Sequence, residues 1–282
     1  MENFKVLSVN PLAVDNYHVY KGVAYDGCYF YFTQPEEKKI YRCDMECNKE
    51  ECFHTTRGYY SICYDYGEHC YWACGNDCSN RLYQLDETFT EINILEIQCG
   101  NCGEIMGLSY YSYRDKLLVA FLQCVMEVDK VSGEGTVKYR LRNSCYKSVL
   151  SVAPYDITSQ IDGTYQTVSI YSKNGELLEM LECPKGYVIE DMLFRPYQCN
   201  GQYCIYLLAT KQGKYPCLLK CNFTTCILGK NIYKCNFKLT PSYNDWPDQY
   251  DRKHLDSMAL IDMLLAYLMN KGNNNHEAPP EN

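Results

Sequence analysis

The chain has 282 residues, of which 46% are hydrophobic, so it is long enough to bury a sizeable core. Its formal net charge of -8 argues against a nucleic-acid partner, which would require a basic face. The longest apolar stretch, MALIDMLLAYLM, is too short to span a bilayer and contains Asp262, so no membrane span is predicted.

A short motif recurs along the chain and ends in Asp or Asn, at Asp44, Asp86, Asp129, Asn174 and Asn222. Its spacing is about 42 to 48 residues, close to the range of propeller repeats. Asp and Asn suit tight turns, because their side chains bond their own backbone. The fourth unit matches least well, so four or six repeats are alternatives to five.

Aromatic-rich runs such as CYFYF and LLVAFL precede the motif and are apolar on successive residues. This pattern indicates strands buried on both faces, as in the stacked blades of a propeller. The sequence therefore predicts an all-β, five-bladed β-propeller over residues 1–245, with four-stranded antiparallel blades. The first strand, KVLSV, is expected to complete the last blade and close the ring.

The pattern changes near residue 246, where a linker and an amphipathic helix are predicted over residues 246–272. Apolar residues recur here at three- and four-residue spacing, namely Leu255, Met258, Ile261, Leu265 and Leu268. The helix either packs on the propeller's own surface or docks a partner or a second copy of the chain. Residues 273–282 are polar and predicted to be disordered.

Nineteen cysteines are present, and the N-terminus shows no basic region followed by an apolar run. Synthesis without a signal peptide in the reducing cytoplasm is therefore expected. An odd number leaves at least one thiol free, metal-bound or paired between chains. Many of these thiols are alternatively small buried hydrophobes. The candidates for disulfides or cross-links are Cys43, Cys70, Cys74, Cys78, Cys99, Cys102, Cys199, Cys204, Cys217, Cys221, Cys226 and Cys235.

The densest cluster of potential metal ligands is C-x4-C-x-H-x8-C, formed by Cys47, Cys52, His54 and Cys63. Three thiolates and one imidazole satisfy tetrahedral zinc, although this spacing is not that of a standard finger. A disulfide among the same cysteines is the alternative. No other cofactor is predicted.

Catalytic signatures are missing from the sequence, which has no Gly-rich phosphate loop and no G-x-S-x-G elbow. Asp15, Glu36, Asp77 and Glu104 are candidates for paired axial carboxylates of the glycosidase type, but no pattern aligns them. The chain is therefore predicted not to be an enzyme. Its 29 tyrosines supply strand-forming core residues, or alternatively a glycan-binding, lectin-like face.

The segments IYRCD and ECNKEECFH resemble YWTD-like β-propeller proteins of clostridia. In that group a Cys-x(3–4)-Cys-x-His motif follows the first blade, as Cys47, Cys52 and His54 do here. The segment DSMALIDMLLAYLMNKG is similar to a C-terminal helix of clostridial spore-surface proteins. Many propellers of the group are secreted or lipid-anchored, whereas the chain shows no such signal.

The resemblance implies a structural or interaction protein of the spore coat or spore surface, cross-linked through cysteine and tyrosine. Its predicted partners are other proteins, or copies of itself, bound through the C-terminal helix and the cysteines. The alternative function is carbohydrate binding.

Overall fold

The computed structural model describes residues 4–12, 19–75, 77, 80–100, 102–111, 114–140, 145–152, 155–162, 165–195, 204–211 and 216–223. These residues form β-strands, turns and short 3-10 segments, among them Pro35–Glu37, and they contain no α-helix. Within these ranges no helix has the length and apolarity needed to cross a membrane.

In the described part of the chain, twenty strands are arranged as five four-stranded antiparallel sheets, which confirms the predicted five-bladed propeller. Blade 1 contains β2 (Val23–Tyr25), β3 (Phe30–Gln34), β4 (Lys39–Cys43) and β5 (Lys49–His54). Blade 2 contains β6 (Tyr59–Asp65), β7 (Cys70–Gly75), β8 (Arg81–Leu85) and β9 (Glu91–Glu96). Blade 3 contains β10 (Ile105–Tyr111), β11 (Lys116–Phe121), β12 (Cys124–Val128) and β13 (Gly135–Arg140). Blade 4 contains β14 (Cys145–Val152), β15 (Tyr155–Asp162), β16 (Tyr165–Ser172) and β17 (Leu177–Glu182). Blade 5 contains β18 (Tyr187–Arg195), β19 (Cys204–Lys211), β20 (Pro216–Phe223) and β1 (Phe4–Pro11).

The ring is closed by the N-terminal strand. Strand β1 pairs antiparallel with β20, from Phe4 opposite Phe223 to Pro11 opposite Cys217. The first strand of each of the five units, β2, β6, β10, β14 and β18, contacts its neighbour in cyclic order and surrounds the axis. We call these the inner strands. The predicted closure by KVLSV is therefore confirmed. Strand β1 is the fourth strand of blade 5 and covers the edge of the third strand, β20.

Five hydrophobic cores stabilise the ring, one between each pair of adjacent blades. On β3, Phe30 and Phe32 pack against blade 5, whereas Tyr31 between them packs against blade 2. Alternate side chains of one strand therefore enter two different cores. This arrangement explains why the strand is apolar on successive residues.

The repeated aspartates perform the turn role predicted for them in the first three blades. Asp44 Oδ1 accepts hydrogen bonds from the amides of Glu46 and Asn48. Asp86 and Asp129 accept equivalent bonds from amides two to four residues further on. Each side chain thus satisfies turn amides that the strand ladder leaves without a partner.

The fourth unit departs from the predicted alignment by two residues. Ser172, not Asn174, is the equivalent of Asp44, because the Ser172 amide donates to the Glu176 carbonyl at 2.8 Å. Its Oγ accepts from the Glu176 amide at 3.2 Å. The prediction for Asn174 is therefore wrong, since a serine hydroxyl closes the turn that carboxylates close elsewhere.

The predicted C-terminal features lie outside the described residues, which end at Phe223. This applies to the helix residues Leu255, Met258, Ile261, Leu265 and Leu268, and to the boundaries at 245 and 272. The linker, the helix and the disordered tail remain predictions.

Candidate functional site on the propeller axis

Four of the five inner strands carry one extra residue at the same place, which interrupts their pairing with the second strand of the blade. These bulge residues are Tyr60, Met106, Lys147 and Glu190. Lys21 takes the corresponding place before β2, where its amide donates to the Thr33 carbonyl at 3.0 Å. Bulges recur next to functional sites in β-proteins, because they re-aim side chains. We call these five residues the bulge ring.

The residue after each bulge position lies where the inner strands meet most closely. In blade 5 this residue is Asp191, whose carboxylate accepts four hydrogen bonds. Ser61 Oγ donates at 3.1 Å and Ser148 Oγ at 2.8 Å. The amides of Val23 and Met192 donate at 3.1 and 2.9 Å. One carboxylate therefore ties together β18, β6, β14 and β2, and we call this group the axial cluster.

The remaining inner strand joins the axial cluster through Ser61, whose Oγ accepts from the Leu108 amide at 3.3 Å. The equivalent residues in blades 1 and 3 are Gly22 and Gly107. A Cβ on Gly22 would lie 2.9 Å from Ser61 Cα, and a Cβ on Gly107 would lie 2.9 Å from Ser148 Cα. Only glycine permits strands to approach this closely.

Burial raises the pKa of Asp191 to about 7, and the hydrogen bonds that it accepts oppose a further rise. The carboxyl group is 2% exposed and lies on the axis of the molecule. It therefore exchanges a proton near neutral pH, a property that clusters at functional sites. Its plain structural role is to hold the inner strands together.

A pocket of about 40 Å³ lies beyond the axial cluster, at the C-terminal ends of the inner strands. All five inner strands contribute to its wall. Each strand contributes the residue that lies four positions after its member of the bulge ring. These residues are Tyr25, Tyr64, Tyr110, Ser151 and Phe194, and Tyr66 joins them. We call this the tyrosine pocket. Four of its five equivalent positions are aromatic.

Charged groups border the tyrosine pocket next to Tyr110, whose hydroxyl donates to Asp115 Oδ1 at 2.9 Å. The Lys130 ammonium is 5.2 Å from the Tyr110 ring centroid. It contacts Asp65 Oδ2 at 2.7 Å and Glu68 Oε1 at 3.1 Å, and it also pairs with Asp115. Burial lowers the pKa of Lys130, but hydrogen bonds to Asp115 and Asp65 outweigh it and keep the pKa above its usual value.

The ligand atoms of Asp65, Glu68 and Cys70 lie within 4.8 Å of one another, as in a metal site. The Lys130 ammonium already contacts the two carboxylates of this group. A lysine of the chain itself therefore supplies a cation between these two carboxylates and offsets one of their two negative charges.

The structure distributes the predicted zinc ligands over different parts of the propeller. Cys47 packs in the core between blades 5 and 1, whereas Cys63 packs in the core between blades 2 and 3. Cys52 and His54 lie on β5, the outer strand of blade 1. Among the described residues these four do not form a cluster with the spacing of a metal site.

Among the described cysteines no disulfide is formed. Six of the twelve predicted cross-link candidates are buried thiols in the cores, which is the alternative that the sequence left open. The buried candidates are Cys43, Cys70, Cys74, Cys102, Cys217 and Cys221. Cys99 is partly exposed, and the side chain of Cys204 on β19 is not described. Cys78, Cys199, Cys226 and Cys235 lie outside the described residues.

The acids that sequence reasoning singled out are not the axial ones. Glu36, Asp77 and Glu104 are exposed and lie in connections between strands, and Asp15 lies outside the described residues. Asp191 and the axial serines were missed. A signal exists in the segments KGVAY, YSICY, MGLSY, KSVLS and EDMLF, which the bulges bring into register. In each segment the second residue, which lies on the axis, is small or acidic. In four of the five segments the fifth residue, which lines the tyrosine pocket, is aromatic.

No protein-family model matches the sequence, and no curated protein is significantly similar to it. Among solved structures, glutaminyl cyclase from Myxococcus xanthus superposes with a TM-score of 0.57. The match covers 77% of this chain and 95% of the cyclase, at 9% identity.

Two further solved structures are similar over a smaller part of this chain, with TM-scores below 0.5. A gluconolactonase from Xanthomonas campestris has a TM-score of 0.47 at 12% identity, covering 69% of this chain and 68% of the other. A nidogen/laminin complex has a TM-score of 0.45 at 14% identity, covering 57% and 63%.

The likeness to glutaminyl cyclase establishes the propeller fold, since its identity is far too low to transfer an activity. It also corrects one prediction. The missing sequence signatures predict that the chain is not an enzyme, yet a protein named as an enzyme shares the fold. The prediction that this chain is not an enzyme therefore loses its basis, because a propeller can assemble a site from separate blades without a local sequence motif.

Proposed function

We propose that this protein is a binding propeller that receives a basic side chain of a partner protein in the tyrosine pocket. The observation that carries the proposal is the convergence of all five inner strands on that pocket, with four aromatic residues at equivalent positions. Ligand sites are typically concave, mostly apolar and aromatic pockets with a few placed polar groups, and this pocket has that character.

Aromatic faces attract cations through their quadrupole, and tyrosine performs this role only while it is a neutral phenol. Burial raises the pKa of Tyr110 well above its ordinary value, and hydrogen bonding to Asp115 raises it further. The phenol therefore stays protonated throughout the physiological range. Tyr66 is held in place by its hydroxyl, which donates to the Tyr25 carbonyl at 2.7 Å. The walls are consequently prearranged for a ligand.

The charge beside the pocket also favours a cation. The Lys130 ammonium forms ion pairs with three carboxylates, those of Asp65, Glu68 and Asp115. This leaves a local excess of two negative charges. Asp115 and Glu68 are the solvent-facing members, so they remain available to a second cationic group.

The size of the pocket supports a side-chain tip over a whole small molecule. A volume of about 40 Å³ accommodates about three water-sized groups. This space suits an ammonium or guanidinium group, whereas drug-sized ligands occupy pockets roughly ten times larger.

The test is a titration of the full chain with lysine-containing peptides, each matched to a peptide with norleucine in place of lysine. Tyr110→Ala and Asp115→Asn are expected to weaken lysine-peptide binding about tenfold. Tyr60→Ala is the matched control, because Tyr60 is an exposed tyrosine of the bulge ring, outside the pocket. Asp115 is exposed and asparagine keeps its shape, so we expect Asp115→Asn to fold, and thermal unfolding of the variant checks this.

Equal binding of the lysine and norleucine peptides would overturn the proposal. Binding of a neutral oligosaccharide, lost in Tyr110→Ala and retained in Asp115→Asn, would instead favour the glycan alternative. Sugar rings stack on the same aromatic faces, but they do not need the carboxylates.

Cross-linking within a spore layer is a second candidate, motivated by the cysteine content and by two exposed thiols. Cys28 and Cys52 are exposed and belong to blade 1. We expect oxidised protein to form multimers on non-reducing gels, and the double variant Cys28→Ser, Cys52→Ser to form fewer. Cys74→Ser is the buried control. Multimers that are unchanged in the double variant would contradict cross-linking through these thiols.

A further inference from the structure

The end of the axis opposite the tyrosine pocket carries a cationic group built from the bulge ring. Lys21 Nζ lies 3.0 Å from Glu190 Oε2, and Lys147 Nζ lies 3.3 Å from the same oxygen. The three residues belong to blades 1, 4 and 5, whose inner strands are neighbours around the axis. One carboxylate therefore bridges two ammonium groups across the axis.

The charges in this group do not balance. Two ammonium groups and one carboxylate leave a net charge of +1. The Glu190 side chain is 9% exposed, whereas those of Lys21 and Lys147 are 22% and 25% exposed. The negative charge thus lies beneath the two positive ones, and the face presented to solvent is cationic.

The two ammonium groups also retain hydrogen-bonding capacity. Each offers three N–H donors, and Glu190 Oε2 takes one contact from each. The shared carboxylate holds both lysines near one point, so little additional side-chain entropy is lost when a ligand binds. Two preplaced donors at the opening of a narrow axis form a receptor for an oxyanion.

We propose that Lys21 and Lys147 form an anion-binding site for a small ligand bearing a carboxylate or phosphate group. The ligand oxygens bridge the two ammonium groups from the solvent side, as Glu190 bridges them from the buried side. Tyr60 and Met106 hold the two remaining positions of the bulge ring, so the opening carries no further carboxylate from that ring.

This site is independent of the proposed function. The axial cluster of Asp191, Ser61 and Ser148 lies between the bulge ring and the tyrosine pocket along the inner strands. Variants of Tyr110 and Asp115 therefore test one site, and variants of Lys21 and Lys147 test the other.

The experiment is a calorimetric titration of the full chain with inorganic phosphate and, in a separate arm, with citrate, at constant ionic strength. Constant ionic strength removes general screening, which weakens surface attraction in any protein. Lys21→Met and Lys147→Met are expected to weaken binding at least tenfold, since methionine keeps the apolar stem and removes the charge. Lys185→Met is the matched control, because Lys185 is an exposed lysine near the start of β18.

Two further variants separate a binding role from a purely structural ion pair. Lys147→Arg keeps the charge and is expected to retain binding within a few-fold. Glu190→Gln removes the buried negative charge and is expected to tighten phosphate binding several-fold, whereas loss of a structural pair alone would leave it unchanged. The proposal is overturned if neither anion binds at millimolar concentration, or if Lys147→Met binds as the unmodified chain does. The anion that saturates the site at the lower concentration, phosphate or citrate, identifies the class of oxyanion that the site prefers.

Discussion

Ser61 donates a hydrogen bond to the carboxylate of Asp191 at 3.1 Å, although the two residues lie 130 positions apart in the chain. They belong to blades 2 and 5, and the bond crosses the axis of the propeller. The same carboxylate accepts from Ser148 of blade 4. A single buried acid thus connects blades 2, 4 and 5 through its hydrogen bonds, and its protonation state matters for stability.

The first prediction concerns pH. The pKa of Asp191 is about 7 in the folded protein, against an ordinary value of 3.8. Between these values the folded state binds a proton that the unfolded state has released, so the free energy of unfolding falls as pH rises. The contribution is fully present below about pH 4 and is lost on approaching pH 7, with a slope of at most about 1.4 kcal/mol per pH unit.

Urea unfolding from pH 4 to pH 8 measures this slope. Asp191→Asn is expected to flatten it, because the amide does not titrate. Asp86→Asn serves as the control, since Asp86 lies in a turn and its pKa is lowered. An identical slope in Asp191→Asn and the unmodified chain would show that another group is responsible.

A second prediction concerns the two axial serines. Ser61→Ala and Ser148→Ala each remove a hydrogen bond to a buried carboxyl group, and we expect each to cost about 1.5 to 3 kcal/mol of unfolding free energy. Ser159 provides the control, because it pairs with Ser148 on β15 and is buried, and its hydroxyl has no hydrogen-bond partner among the described residues. Ser159→Ala should be neutral or slightly stabilising. If both alanine variants at the axis are also neutral, the axial cluster does not stabilise the fold.

A third prediction tests the corrected alignment of the fourth blade. Ser172→Ala removes the acceptor of the Glu176 amide and should lower the midpoint of thermal unfolding, at a cost of about 1 kcal/mol. Asn174→Ala lies in the same turn and should have a smaller effect. Scanning calorimetry compares the two variants, and a larger loss for Asn174→Ala would restore the original alignment.

A fourth prediction concerns closure of the ring. Deleting residues 1–11 removes β1 and exposes the edge of β20 from Cys217 to Phe223. Open edges pair with other chains, so we expect lower cooperativity of unfolding and self-association in light scattering. The control is Leu7→Thr with Val9→Thr, which alters two exposed side chains and keeps the backbone pairing. A monomeric, cooperatively folding deletion variant would contradict the closing role of β1.

The blade architecture could be predicted from the sequence because it depends on local and periodic features. Runs such as CYFYF are apolar on both faces, and that pattern requires a sheet on each side. Asp44, Asp86 and Asp129 mark turns through hydrogen bonds to their own neighbours. The fourth unit was misaligned because serine closes turns as well as aspartate does, and serine was not part of the motif.

The axial features could not be predicted in the same way. A β-bulge shifts a strand by one residue, and its position depends on the partner strand and not on the motif alone. Four bulges align Ser61, Gly107, Ser148 and Asp191 at one level of the axis. Without this register, Asp191 is one acid among 35 acidic residues. The predicted zinc ligands are separated for a related reason, since Cys47 and Cys63 enter different cores although they are near in sequence.

The sequence by itself determined that the chain forms repeated, doubly buried strands joined by polar turns, because periodicity and turn chemistry act over a few residues. Only the tertiary structure decided which side chains meet on the axis, where Asp191 joins four strands and the lysines and tyrosines separate to opposite ends. That outcome follows from ring closure and strand register, which couple residues more than a hundred positions apart through contacts that no local segment encodes.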